Sequence, residues 1–191
     1  GHYLLGNARF DPIYAEAQRL DVPVGVHASG TDLSIQGLEP FPKFIQAHTV
    51  SHAFGQMRQI TSMIFDGVPA RFPDLRIAYL EAGCGWVPYF VQRMDEEFEK
   101  RGHVEAKALT KRPSEYVKSG NIYFSCEAGE ILLPQAIEFV AADQILYASD
   151  FPHWDHAYPQ SLKELAARPD VTDAQKQKIL STNPRRLYGI K

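Results

Sequence analysis

The chain has 191 residues, 45% of them hydrophobic and 23% charged, and a formal net charge of −3. That is enough for one domain with a real core, and it leaves no basic field to attract nucleic acid or an anionic membrane. No apolar run reaches the roughly 20 residues that cross a bilayer, no segment reads as a signal peptide, and two cysteines are too few for a disulfide framework, so a reducing, cytoplasmic compartment is expected.

Asp11-Pro12 opens a predicted helix to about Leu20, with the aspartate as cap and the proline in the first turn. Val22–Ala28 (VPVGVHA) has strand length and is followed by a helical pattern over Phe44–Phe65 that stops near Gly67 and Pro69. The second strand is Arg76–Ala82 (RIAYLEA), and a helix over Trp86–Lys100 follows with an exposed acidic face at Asp95, Glu96, Glu97 and Glu99. Asn121–Glu127 (NIYFSCE) is the third strand and Ile131–Ala141 its helix. Gln144–Asp150 (QILYASD) is the fourth, followed by helices over Ser161–Ala167 and Thr172–Leu180, the latter capped by Thr172, and a last helical turn from Asn183-Pro184.

None of the four strands alternates cleanly between apolar and polar residues, which suits parallel strands buried on both faces. Strand and helix alternate throughout, so an α/β fold with a parallel sheet is predicted. No repeat or linker divides the chain, and residues 1–191 are read as one domain. Each strand ends in polar groups: His27-Ala28-Ser29, Glu81-Ala82-Gly83, Ser125-Cys126-Glu127 and Ser149-Asp150. In a (β/α)8 barrel such ends converge on one catalytic face. An open doubly wound sheet also binds ligands there, but no Gly-rich phosphate loop follows any strand, so the barrel is favoured.

Three rim residues carry the expected chemistry. His27 ends the first strand ahead of Ser29-Gly30 and offers a neutral imidazole, the commonest ligand for zinc-type metals. Glu81 is a carboxylate in an apolar strand, costly to bury without a metal, histidine or arginine partner. Asp150 precedes Phe151-Pro152-His153-Trp154 rather than a helix, so metal binding or proton transfer competes with simple helix capping. His48 and His52, four residues apart, share a helix face near the same rim, where substrate contact and a surface role stand even. His153 or His156 can orient Asp150, and Trp86, Tyr89, Phe151 and Trp154 are candidate aromatic walls. Cys84 and Cys126 read as small buried residues.

At these residues the sequence resembles the amidohydrolase-2 branch of the amidohydrolase superfamily, of the aminocarboxymuconate-semialdehyde decarboxylase and resorcylate decarboxylase type. The likeness rests on Ile145–Trp154 (ILYASDFPHW), Gly67–Asp95, the closing Asn183–Gly189 (NPRRLYG) and VPVGVHASG. It implies a metal-dependent (β/α)8 TIM barrel, of which this chain holds strands five to eight. It also implies His27 and Asp150 as metal ligands, and Asp150, Glu81 and His52 as catalytic groups. His48, His153, Trp86 and Phe151 would meet a small carboxylated or ring-containing substrate. Glu81 falls where the family's decarboxylases carry histidine, and the first-strand His-x-His pair has no counterpart before His27. A divalent metal is implied, zinc ahead of manganese, and so is hydrolysis or non-oxidative decarboxylation; the open sheet edge of a half-barrel predicts a homo-oligomer or pairing with the missing half. The alternative is a truncated barrel that binds a ligand or assembles without turnover.

Overall fold

A computed structural model of the chain describes residues 3–27 and 37–190. Ser29-Gly30 lies outside the described residues.

Four parallel strands pair in sequence order: β1 (Val24–His27), β2 (Ile77–Leu80), β3 (Ile122–Cys126) and β4 (Ile145–Tyr147). Doubly wound sheets reverse their order at a switch point, and this sheet does not. Each strand is one to three residues shorter at each end than the apolar run that predicts it. The helices in chain order are α1 (Asp11–Arg19), α2 (Phe44–Phe65), α3 (Val68–Arg71), α4 (Val87–Glu105), α5 (Pro113–Val117), α6 (Leu133–Val140), α7 (Gln160–Ala167), α8 (Asp173–Gln177) and α9 (Asn183–Tyr188). A π-helical turn, Lys178–Thr182, joins the last two.

Side chains alternate across the sheet, and the core follows that alternation. Val26, Ile77, Tyr79, Ile122, Phe124 and Ile145 point into the helical layer and meet Ile60, Met63 and Ile64 of α2 and Val87 and Val91 of α4, all 2% exposed or less. Burying each large aliphatic of this set contributes about 2 kcal/mol. On the opposite face Ala78, Tyr123 and Leu146 are covered with Leu187 of α9, so β2 to β4 are buried on both sides. At β1 that second face stays open: Gly25 and His27 are exposed while Val26 is buried.

Local chemistry sets the boundaries. Helix α2 stops because Gly67 adopts a left-handed backbone at φ 78°, costly for any residue with a Cβ. Thr172 caps α8, its hydroxyl accepting from the Gln175 amide. Asp11 is not the cap expected of it: it is the first residue of α1, and its carboxylate receives a two-pronged bond from Arg71 at 2.8 and 3.0 Å. That ion pair ties α1 to the end of α3. Helix α4 runs five residues past the expected Lys100. Its acidic residues are matched by Arg93, Lys100 and Arg101 along the helix and by Arg112 across it, so the acidic face is an ion-paired belt. Arg76 anchors the closing helix, its Nε donating to the Leu187 carbonyl at 2.9 Å.

Candidate active site

The strand C-termini gather at one rim, and the residues just beyond them form the site. His27 is the last residue of β1 and Glu81 the first after β2. The His27 Nε2 and Glu81 Oε2 atoms lie 2.8 Å apart. Glu81 also shares a side-chain hydrogen bond with Asp150, which follows β4 by three residues. Asp150 in turn meets His153, Nδ1 to Oδ1 at 3.2 Å. The partner expected for Glu81 is therefore a histidine on one side and a carboxyl on the other.

Backbone strain accompanies this convergence. Glu81 and Asp150 both sit at positive φ, 58° and 53°. That region is uncommon outside glycine and costs on the order of 1–3 kcal/mol. It is held open from outside: the Glu81 amide donates to Ser125 Oγ at 2.9 Å, and the His153 amide donates to the Asp150 carbonyl at 2.9 Å. Each kink turns its carboxyl off the strand direction and toward its neighbour.

Desolvation works against ionising either acid, but the two part ways. Hydrogen bonds from His27 and Asp150 carry Glu81 below the usual carboxylate range, whereas desolvation and the adjacent Glu81 carry Asp150 above it. Of the two, Asp150 is the one whose surroundings favour holding a proton. Glu127, just past β3, is raised by desolvation at the cleft and by the carboxylates of Glu130, Asp150, Asp155 and Glu81.

Above the rim opens a cleft of about 740 Å³, within the range of small-molecule sites. Glu81, Glu127 and Asp150 form part of its lining, His48 and His52 come from α2, and His153, Trp154 and Asp155 come from the loop after β4. The α2 rings form an aromatic wall: Phe44 stacks on His48 at 4.9 Å, and Trp154 lies 6.0 Å from His48 and 6.1 Å from Phe44. Ser51 Oγ lies 3.1 Å from His52 Nδ1, which leaves the other ring nitrogen of His52 for the cleft.

Three expected wall residues are elsewhere, and one of them, Tyr89, stands exposed on α4 outside the cleft. Trp86 donates its indole N–H to the Gly83 carbonyl and sets its ring edge-on against Phe90 and Phe124, so it belongs to the helix–sheet core. Phe151 turns outward, 63% exposed, against His156 and Tyr158. Glu127, Phe41 and Phe44 line the cleft without having been singled out. Glu127 shared the polar strand-end signal of the other three, and Phe44 precedes His48 and His52 on the same four-residue spacing. Cys84 and Cys126 are buried free thiols in the core.

One oxygen each from Glu81 and Asp150 and one nitrogen of His153 lie within 4.8 Å of one another. Ligands about 2.0–2.2 Å from one ion stand at most about 4.4 Å apart, so small side-chain adjustments would let this trio hold a divalent metal. Two carboxylates and an imidazole suit manganese as well as zinc. His27 reaches the trio through Glu81.

Comparison with known proteins agrees with this arrangement. A sequence model of a family described as amidohydrolase matches residues 1–190, and the chain belongs to that family. It is similar to a 6-methylsalicylic acid decarboxylase of Penicillium expansum, 27% identical over 162 residues that make up 82% of this chain and 46% of the relative. It is also similar to a 2-amino-3-carboxymuconate-6-semialdehyde decarboxylase of Dictyostelium discoideum, 23% identical over 94% of this chain and 48% of the relative. Among solved structures, a 5-carboxyvanillate decarboxylase variant of Novosphingobium aromaticivorans superposes with a TM-score of 0.77 at 20% identity. That match covers 98% of this chain and 54% of the other, whose structure contains bound manganese and 3-methoxy-4-hydroxy-5-nitrobenzoic acid. At this identity the likeness speaks for the fold. The chain spans about half the length of the curated relatives it matches.

Proposed function

Starting from membership of the amidohydrolase family, we propose that the whole protein catalyses metal-dependent, non-oxidative decarboxylation of a carboxylated aromatic acid. The relatives' names weigh decarboxylation above hydrolysis, which the same groups could equally serve. Residues 1–191 are read as the later part of a single barrel domain, with β1 to β4 as its strands five to eight. The in-order parallel sheet and the open inner face at β1 support that assignment.

The observation that carries the proposal is the Glu81–Asp150–His153 cluster at the floor of a cleft walled by aromatic rings. Asp150, with Glu81 and His153 beside it, would hold a divalent metal, and His27 would orient Glu81. Such an ion would supply a positive charge to fix the substrate carboxylate or its neighbouring oxygen. Either zinc or manganese fits the donor set. In the reaction the ring–carboxyl bond breaks and carbon dioxide leaves. The electron pair stays on the ring carbon, which takes up a proton. Asp150, facing the cleft beside Glu81, is the group suited to exchange a proton with substrate, with Glu81 as its partner. Phe44, His48 and Trp154 would stack on the ring, and His52 would meet a polar substituent. A homo-oligomer in the cytoplasm completes the reading; among the described residues no helix is long and apolar enough to cross a membrane.

The test is carbon dioxide release by the whole protein, loaded with manganese or zinc, from 6-methylsalicylate, 2,6-dihydroxybenzoate and 5-carboxyvanillate. At least one should turn over, and Asp150→Asn should slow it by about 10²–10⁴-fold, as expected for loss of a proton-transfer group. No release from any of them, or full activity in Asp150→Asn, would refute it. The reading of a barrel that binds without turnover predicts the first of those failures.

A further inference from the structure

Among the described residues, three side-chain amides do the same unusual thing: one nitrogen donates to two backbone carbonyls. Gln144 Nε2 reaches the carbonyls of Val117 and Ile122 at 2.5 and 2.6 Å, and Asn183 Nδ2 those of Ala142 and Ile145 at 2.6 and 2.7 Å. Both lie at the N-terminal ends of strands, since Ile122 opens β3 and Ile145 opens β4. Gln56 Nε2 reaches Val26 and Leu80 at 2.7 Å each, at the C-terminal ends of β1 and β2. All three amides are 2% exposed or less.

The location of the Gln56 clamp is what sets it apart. Val26 immediately precedes His27, and Leu80 immediately precedes Glu81. One nitrogen therefore fixes the peptide planes from which both members of the 2.8 Å His27–Glu81 pair depart. A carbonyl oxygen has two lone pairs, and Gln56 gives each of these two strand-end carbonyls a buried side-chain donor. Gln56 Oε1 has no hydrogen-bond partner among the described residues, so the amide is held for its donors. Reversing it would set oxygen against two carbonyl oxygens. Gln56 also follows His48 and His52 at four-residue intervals on α2, so the helix that carries the aromatic wall is pinned to the same two strand ends.

We infer that Gln56 is a positioning residue for the site: it sets the spacing of His27 and Glu81 relative to each other and to the histidines of α2. Its part in metal binding rests on the function proposed above, but its hold on the His27–Glu81 pair does not.

The experiment compares Gln56→Met with Gln144→Met, two substitutions that remove the same clamp from opposite ends of the sheet. Long-range proton–nitrogen spectra of the imidazoles report the His27–Glu81 hydrogen bond directly, and titration with manganese reports affinity. Gln56→Met should abolish or broaden the His27 Nε2–H signal and weaken manganese binding by about 10- to 100-fold, the usual cost of losing a group that orients ligands. Gln144→Met should leave both unchanged at a similar loss of melting temperature. Equal effects of the two variants, or an unaltered His27 signal in Gln56→Met, would overturn the inference. Should Gln56→Met fail to fold, Gln56→Glu replaces it, keeping the side-chain length and, protonated in this apolar setting, one donor. It should show a weakened but present His27 signal, and a signal identical to wild type would count against the clamp. If the unaltered protein takes up no manganese, the functional reading fails and the imidazole signal alone decides the role of Gln56.

Discussion

Glu130 offers the sharpest stability test of the site's architecture. Its carboxylate Oε1 accepts the amides of Cys84 and Gly85 at 2.7 and 2.6 Å, while Oε2 accepts the Glu127 amide at 3.0 Å and lies 3.4 Å from Cys84 Sγ. One side chain thereby binds the loop after β2, which carries Glu81, to the loop after β3, which carries Glu127. In Glu130→Ala the Cys84 amide is left buried without an acceptor, the Gly85 amide is half-buried, and the Glu127 amide can turn to water. A hydrogen bond to a charged group contributes about 1.5–3 kcal/mol. Two such losses, discounted because Glu130 itself is only partly buried, give about 3 kcal/mol of destabilisation. Glu130→Gln keeps the oxygen that serves Cys84 and Gly85 but turns an NH2 toward the Glu127 amide, so about 1–2 kcal/mol is expected. Urea denaturation of the two variants at neutral pH, with unchanged slopes, measures both. A Glu130→Ala loss below about 1 kcal/mol, or a glutamine variant worse than the alanine one, would refute the reasoning.

Other consequences are as direct. A metal must bind the ionised carboxylate of Asp150, which desolvation and the neighbouring Glu81 carry above the usual range, so affinity should fall as pH falls through the titration of Asp150, by up to about tenfold per unit below it; calorimetric titrations across that range check the sign, and a pH-independent affinity would contradict it. Asn183→Ala removes a buried side-chain donor from the carbonyls of Ala142, which keeps the Ile145 amide, and Ile145, and should cost about 1–3 kcal/mol in thermal or chemical unfolding while leaving metal affinity intact. Burial and the carboxylate of Glu130 push the Cys84 thiol far up, and burial pushes Cys126 up to about 12. Neither thiol should react with an alkylating reagent near neutral pH except at the rate of unfolding, as mass spectrometry over time would register.

The strands were legible because their apolar runs were short, rich in β-branched and aromatic residues, and bounded by turn residues. Burial on both faces removed the alternation, as Tyr123 and Phe124 show on opposite sides of β3. The rim residues were legible because a titratable group at the end of a buried strand has few other reasons to be there. What could not be read was direction. Trp86 and Trp154 look alike in sequence as aromatics beyond a strand end. The hydrogen bond to Gly83 turns the first into the core, and the loop after β4 carries the second onto α2. The end of α4 was misplaced because its final five residues are held by pairs such as Arg101–Glu105, which carry no apolar period. Gln56 was silent for the same reason: its role depends on two carbonyls 24 and 30 residues away.

The left-handed backbone at Glu81 and Asp150 has a bearing on how this protein could be engineered. Glycine at either position would relax a kink that costs on the order of 1 kcal/mol or more, so a screen for thermal resistance alone should enrich it. Each such winner would have discarded a carboxyl from the floor of the cleft. Hardiness and chemistry pull against each other at these two positions, and a stabilising campaign is better aimed at surface loops and helix ends remote from the rim.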